Sequence, residues 1–231
     1  MNRALIIKSI PLDVYEQMSL DEVICETMPE KYILRFFNWK EKGITFGFSQ
    51  RYSNVINTLE PSYRDFKMTR RPTGGGIVIH ESDITFSFIF YSPEMFNPNA
   101  TYEKLHSLIK SEYEKKGISI DIANGIKSNY DINTPTMDCF KKPVEKDLLV
   151  GGKKVLGGAL RKFSYYLLYQ ASLQISGARE NIDFHSKVII NAFEKGFDLK
   201  FEDYIINEEF YKKISDKKNE KYISEHWIKR I

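Results

Sequence analysis

"RRPTGGGIVIHESDITFSF", residues 70–88, runs two arginines into three consecutive glycines and then into an alternating apolar segment. In that segment Ile84, Phe86, Phe88 and Phe90 fall on one face and Thr85, Ser87 and Ile89 on the other, which predicts a strand. "ESD" reads as a turn between this strand and the preceding "IVIH". One bend rarely needs three glycines, so something must approach the backbone closely. Lacking Cβ atoms, Gly74, Gly75 and Gly76 can bring N–H groups within reach of an anion or a carbonyl. Arg70 and Arg71 would add charge suited to phosphate or carboxylate. The competing reading is a glycine-rich hairpin with surface arginines. No GK[ST] follows and no G-x-G-x-x-G opens a helix, so the motif is neither a Walker loop nor a dinucleotide fingerprint.

Outward from this stretch, residues 3–9 read as a strand and 15–28 as an amphipathic helix with Met18, Val23, Ile24 and Met28 at near-helical spacing. Cys25 lies beside that stripe and reads as a small core residue. "YILRFFNW" and "GITFGFSQ" read as strands joined by the charged turn "KEKG". Residues 54–65 suggest a short helix and "KMTRRP" a strand. "TYEKLHSLIKSEYEKKG" carries Tyr102, Leu105, Leu108, Ile109 and Tyr113 on one helical stripe and stops at Gly117. Residues 121–143 are turn-rich and read as a functional loop, ordered or mobile. "DLLVGGKKVLGGAL" predicts a hairpin turning at Gly151-Gly152, with "YYLLYQASLQIS" the next strand. From about residue 186 the pattern is helical, with Val188, Ile189, Phe193 and Phe197 in a stripe. The pattern predicts one α+β domain over residues 1–231, a mixed, largely antiparallel sheet flanked by helices.

The totals suit that reading. The chain has 231 residues, 42% of them apolar, enough for a sizeable core. A net charge of +3, spread along the chain, does not demand nucleic acid, although an acidic protein partner would suit it. Two cysteines make no disulfide framework and read as a reduced cytosolic chain. His80, His106, His185 and His226 are scattered, so no metal site is expected. No signal peptide is evident, and no segment approaches the roughly 18 to 20 apolar residues that span a bilayer. The expected location is the cytoplasm, and a monomer is the default.

Two further residues are chemical candidates. In "GGKKVLGGAL", Lys153 and Lys154 point to opposite faces of a strand, so one is solvated while the other enters a cleft. There Lys154 would serve as a base, or hold a carboxylate or phosphate if charged; a solvated pair is the alternative. Gly157 and Gly158 would let a ligand or a second strand pass close. Cys139 lies in the turn-rich loop beside Lys141 and Lys142, and nearby cations favour a nucleophilic thiolate. A lone loop cysteine is the bland alternative. Gln50 and Asp83 are candidate polar liners. His80, taken alone, reads as a packing or turn-capping residue.

Together these segments resemble the superfamily of lipoate- and biotin-protein ligases and octanoyltransferases. Residues 70–88 resemble its R-R-x-[ST]-G-G-G-x-V-x-H-[DE] signature, and "GKKVLGGALRK" its lysine segment. "MSLDE", "LRFFNW", "TFGFSQ", "AFEKGF" and "KYISEHW" follow in the family's order. The resemblance implies the class II biotin/lipoate ligase fold. It also implies a floor from Arg71 to Gly76, including Thr73, under an acyl chain or acyl-adenylate. His80 would shape the site, with Gly157, Gly158 and Ala159 along the substrate, and Lys154 would point at the reacting carbonyl carbon. An eight-carbon chain needs an apolar trough, for which Ile77, Phe86 and Phe88 are candidates. The product implied is an amide on a lysine of a lipoyl domain, as in 2-oxoacid dehydrogenases or the glycine cleavage H protein.

Two chemistries compete within the family. ATP-dependent ligases, using ATP and Mg²⁺, form an acyl-AMP. Octanoyltransferases need no cofactor and pass the acyl group from acyl carrier protein through a cysteine thioester. "DCFKKP" resembles the cysteine segment of the LipM-type octanoyltransferases, with Cys139-Phe140 in its place, which favours the transferase. A non-catalytic protein binding lipoyl domains or acyl groups is the third reading. In the strand after the lysine segment Tyr169, Gln170 and Ala171 replace the polar-histidine-glycine pattern of many relatives.

Overall fold

Strand β6 (Ile84–Tyr91), the end of the quoted stretch, lies near the middle of the larger of the two sheets formed by the described residues. A computed structural model describes residues 1–27, 30–93, 97–125 and 143–231. Met28 and most of the turn-rich segment, Cys139 included, lie outside the described residues. The other strands are β1 (Asn2–Lys8), β2 (Tyr32–Phe36), β3 (Gly43–Phe46), β4 (Met68–Arg70), β5 (Val78–His80), β7 (Asp121–Ile122), β8 (Leu148–Val150), β9 (Lys153–Phe163), β10 (Tyr166–Leu173) and β11 (Leu199–Ile205). The helices are α1 (Val14–Thr27), α2 (Tyr52–Thr58), α3 (Pro98–Glu114), α4 (Ile182–Phe197), α5 (Glu208–Lys217) and α6 (Glu225–Ile228).

The larger sheet has the order β11-β1-β2-β6-β10-β9-β8-β7 and the smaller β4-β3-β5. From β2 to β7 every pairing is antiparallel; β1 pairs in parallel with both β2 and β11. The architecture is α+β, with a mixed, largely antiparallel sheet flanked by helices.

Period-two alternation decides what covers each face. Ile84, Phe86, Phe88 and Phe90 of β6 and Leu167, Tyr169, Ala171 and Leu173 of β10 bury against α3 and α4, where Phe88 stacks on Phe193 at 4.4 Å. Ile89 and Leu168 point the other way, into a cluster with Leu20, Val23, Ile24 and Cys25 of α1 and Phe210 and Ile214 of α5. Cys25 is therefore a buried core thiol, its pKa raised well above the usual value by burial and then by the carboxylates of Asp21, Glu22 and Glu26.

The glycine turn behaves as its sequence requires: Gly151 and Gly152 both have positive φ, 55° and 76°, and join β8 to β9 as a two-residue hairpin. Two expectations change. "YILRF" and "GITF" are both strands, but they do not pair with one another; β2 enters the larger sheet and β3 the smaller. The pattern from residue 186 is not purely helical either. Helix α4 starts at Ile182 and ends at Asp198, which is left-handed at φ 54°, and the chain then forms β11 alongside β1. Strand β11 was missed because only Leu199 and Phe201 turn inward in alternation with exposed Lys200 and Glu202, too short a run to stand out beside the helical stripe before it.

Candidate active site

Strand β3 leads into a tight turn at Gly47. The Gln50 side chain closes that turn by accepting from the Gly47 N–H at 2.8 Å. A Cβ on Gly47 would overlap the carbonyl oxygen of Gly75. One close approach to the triple glycine is thus internal, the crossing of its own neighbouring turn. Gly75 itself has φ 91°, a conformation that favours glycine. Gly74 needs neither explanation: its backbone is ordinary, and a Cβ there would meet nothing within 4 Å.

The two arginines do different work. Arg70 is fully buried and donates to the carbonyls of Gly47, Phe48, Gln50, Trp227 and Ile228, tying the Gly47 turn to the C-terminal segment. Burial, and then Arg230, push its pKa down to about 10. Arg71 braces the glycine loop from inside, donating to the Gly74 and Gly76 carbonyls at 2.9 and 2.8 Å and to Thr45 Oγ1 at 2.8 Å. In a trans peptide the C=O and the next N–H point opposite ways. Turning those two carbonyls toward Arg71 therefore turns the Gly75 and Ile77 N–H groups away from it.

The loop is seated on the larger sheet. Thr73 Oγ1 donates to Gln170 Oε1 at 2.6 Å, and Gln170 Nε2 donates to Asp21 Oδ2 at 2.6 Å. Arg161 donates to the Pro72 carbonyl at 2.7 Å and covers the Phe48 ring at 4.4 Å. Gln170 pairs with Ala159 across β10 and β9, so the glycine loop lies over the Ala159–Arg161 part of β9.

Lys154 starts the same strand. Its ammonium is 2.7 Å from Asp147 Oδ2, with the two side chains 5% and 0% exposed. A Cβ on Gly157 would overlap Lys154 Cε and Nζ, so the lysine folds back into the space that a side chain at 157 would take. Gly157 and Ala159 share a face, and so does Gln170 by register. The ammonium therefore lies on the face that carries Thr73 and the glycine loop, roughly 7 Å along the strand from the Ala159 row at about 3.3 Å per residue. The second glycine of the pair has its own reason: a Cβ on Gly158 would overlap the ring of Tyr169.

Other expected residues are placed elsewhere. The ring of His80 lies between Thr45 Oγ1 at 2.8 Å and Asp83 Oδ2 at 3.0 Å and stacks on Trp39 at 4.4 Å. Asp83 also accepts from Thr85 and Ser172. Burial alone would raise its pKa, but His80 and these hydroxyls outweigh burial and lower it. His80 and Asp83 thus form a buried strut between the two sheets. Phe86 and Phe88 do not share a trough with Ile77. They are fully buried beneath α3 and α4, while Ile77 packs with Ile44, Phe46 and Val55 of the smaller sheet's core.

Asp147 and Tyr102 escaped the sequence reading. The hairpin register was the available signal for Asp147: with Leu149 opposite Lys154, Asp147 falls beside the lysine's end of β9. Among the described residues, no group of three or more His, Cys, Asp and Glu could hold a metal ion, and no helix is long and apolar enough to cross a membrane.

With fold and site in place, the likeness to known proteins is specific. Residues 13–197 match the lipoyl protein ligase A/B catalytic domain, and the chain belongs to that family. It is 28% identical over 170 residues to the octanoyltransferase LipM of Carboxydothermus hydrogenoformans, covering 69% of this chain and 60% of that protein. With the LipM octanoyltransferase of Macrococcus caseolyticus it is 23% identical, over 94% of each chain. This chain spans about three fifths of the length of the first curated relatives it matches. Among solved structures, a lipoate-protein ligase A bound with ATP superposes with a TM-score of 0.78 at 20% identity over 99% of both chains. A bi-partite lipoate protein ligase of Thermoplasma acidophilum, described with its E2 lipoyl domain, gives 0.75 at 17% identity over 99% of this chain and 96% of that one. These two likenesses establish the shared fold.

Proposed function

We propose that this chain moves an octanoyl group through a thioester on Cys139 onto the side-chain amine of a lysine in a lipoyl domain. The observation that carries the reading is the buried Lys154–Asp147 pair, folded over Gly157 on the sheet face where the glycine loop sits. A cation held there by a carboxylate suits the stabilisation of a thiolate or of the oxyanion that forms when a thioester is attacked. The Gly75 and Ile77 amides, turned away from Arg71, are donors suited to an acyl carbonyl. The relatives named octanoyltransferase favour transfer over ATP-dependent ligation, as does Cys139-Phe140.

The chemistry balances without ATP or metal. The Cys139 thiolate attacks the thioester carbonyl carbon of an octanoyl donor, here acyl carrier protein. The tetrahedral oxyanion collapses, the donor thiol leaves with a proton, and the acyl group stays on sulfur. The neutral amine of the target lysine attacks this second thioester. Cys139 leaves as thiolate, and loss of the amine proton gives the amide.

Mass measurement after incubation with octanoyl-acyl carrier protein tests this. A single hydroxylamine-sensitive octanoyl adduct is expected, lost in Cys139→Ala, with transfer to an added lipoyl domain. Full activity of Cys139→Ala, together with a requirement for ATP and free lipoate, would establish the ligase reading instead. Binding of a lipoyl domain with neither donor supporting its modification would leave a non-catalytic module.

A further inference from the structure

Around the lysine is a hydrogen-bonded chain of side chains that the chemistry above does not use. Tyr102 donates to Asp147 Oδ1 at 2.6 Å and accepts from the Gly158 N–H at 2.9 Å. Four residues on along α3, His106 lies on the same helical face, its ring 4.0 Å from that of Tyr102. His106 Nδ1 is 2.7 Å from the Lys146 carbonyl and Nε2 is 2.7 Å from the Tyr169 hydroxyl. A carbonyl only accepts, so Nδ1 carries the proton; Nε2 of the neutral ring then accepts from Tyr169. Burial, the largest influence, holds the His106 pKa down to about 3, consistent with that neutral ring.

The chain ends where the backbone is strained. Lys146 has φ 70°, unusual for a residue with a side chain, and immediately precedes Asp147. Asp147 Oδ2 accepts from the Val144 N–H at 2.7 Å as well as facing Lys154. The orientation of the carboxylate is thus fixed by Tyr102 from below, by Val144 from its own turn, and through Lys146 by His106. Tyr169 is one of the three residues in β10 that depart from the pattern of relatives, and Gly158 provides the room its ring needs.

We infer that Tyr102, His106 and Tyr169 are positioning residues: a relay from α3 and β10 that holds Lys146-Asp147 in its strained turn and so fixes the Lys154 ammonium. The inference rests on the reading that Lys154 serves acyl transfer. Tyr169 couples to the lysine through His106 and Lys146 and through an edge contact with the Tyr102 ring at 6.3 Å, whereas Tyr102 touches Asp147 directly. Removing the Tyr102 hydroxyl therefore has the larger effect, and the two removals are not additive.

The test compares Tyr102→Phe, Tyr169→Phe and the double variant, which keep the rings and remove only hydroxyls. Two measurements are made: octanoyl transfer, and the rate at which N-hydroxysuccinimidyl acetate labels Lys154 relative to exposed Lys187, read by peptide mass. Expected are a fall in kcat of about tenfold for Tyr102→Phe and about threefold for Tyr169→Phe, with KM for both substrates within twofold. The double variant should lose less than the product of the two. Lys154 labelling should rise about fivefold in Tyr102→Phe and about twofold in Tyr169→Phe as its partner loosens. Parental kcat and parental labelling in a folded Tyr102→Phe would overturn the relay, as would a loss confined to KM. Labelling that rises in the variants of a protein with no acyl transfer would uphold the relay and sink the transferase reading.

Discussion

Four glycines near the site lack side chains for different reasons, and three of those reasons each predict a phenotype. At Gly157 the obstructing atoms are the flexible tip of Lys154, which can swing aside. Gly157→Ala should therefore still fold, at a lower melting temperature because a buried carboxylate is left unpaired, and lose octanoyl transfer by about a hundredfold or more because the ammonium leaves Asp147. At Gly47 the obstruction is the backbone oxygen of Gly75, which has nowhere to go. Gly47→Ala should destabilise by about 3 kcal/mol in denaturant titration. Gly74 has open space where its side chain would be. If the proposed acyl chain passes there, Gly74→Ala should keep full stability and lose acyl transfer; unchanged activity would show that substrate does not pass there. Gly75, with its positive φ, was the one whose need could be read from backbone freedom alone. The sequence marked Gly74, Gly75 and Gly157 but not Gly47, whose obstruction is the backbone of a distant segment, Gly75.

Among the elements, hairpin β8–β9 was legible because its chemistry is local: two glycines supply the two positive φ angles that the turn requires. Strand β6 was legible because its alternation is complete and both its faces are covered. The separation of β2 from β3 was not, since nothing in "KEKG" states which sheet each strand will join. The C-terminal segment was equally opaque. Its attachment includes Arg70, Thr69 Oγ1 donating to the Tyr222 carbonyl at 2.8 Å, Trp227 Nε1 donating to the Arg70 carbonyl at 2.9 Å, and Lys221 and Tyr222 donating to Glu22. An arginine beside a glycine loop invites a ligand-binding role, yet five backbone carbonyls take up Arg70. Arg70→Met should cost about 3 kcal/mol or more, because it orphans several buried acceptors at once. Hydrogen exchange should show amides 218–231 losing protection before those of the larger sheet; uniform loss would mean that the segment is held by other contacts.

For the molecule as a whole, the buried neutral His106 links stability to pH. Its pKa is near 3 in the folded chain against an ordinary 6.5. Between those values the unfolded chain binds a proton that the folded chain does not, so stability falls as pH drops below about 6.5. The loss is on the order of 1 kcal/mol per pH unit. His185, also pushed down by burial, adds in the same direction. The melting temperature should decline from pH 6.5 to 4, and His106→Gln should decline less steeply; parallel curves would show that the slope arises elsewhere. Below about pH 4, Asp83 adds a loss of its own, since its lowered carboxylate pKa means that folding favours the ionised form. By itself the sequence determined the α+β class, the position of most strands and helices, and the two glycine-bearing segments that meet at the site, because alternation, helical spacing and turn chemistry act over a few residues. Only the tertiary structure decided that Asp147 and not solvent faces Lys154, that Arg70 serves the C-terminal segment, and that Tyr169 bonds His106. Those are pairings of buried polar groups, whose partners are fixed by which strands and helices pack together and leave no periodic trace in the chain.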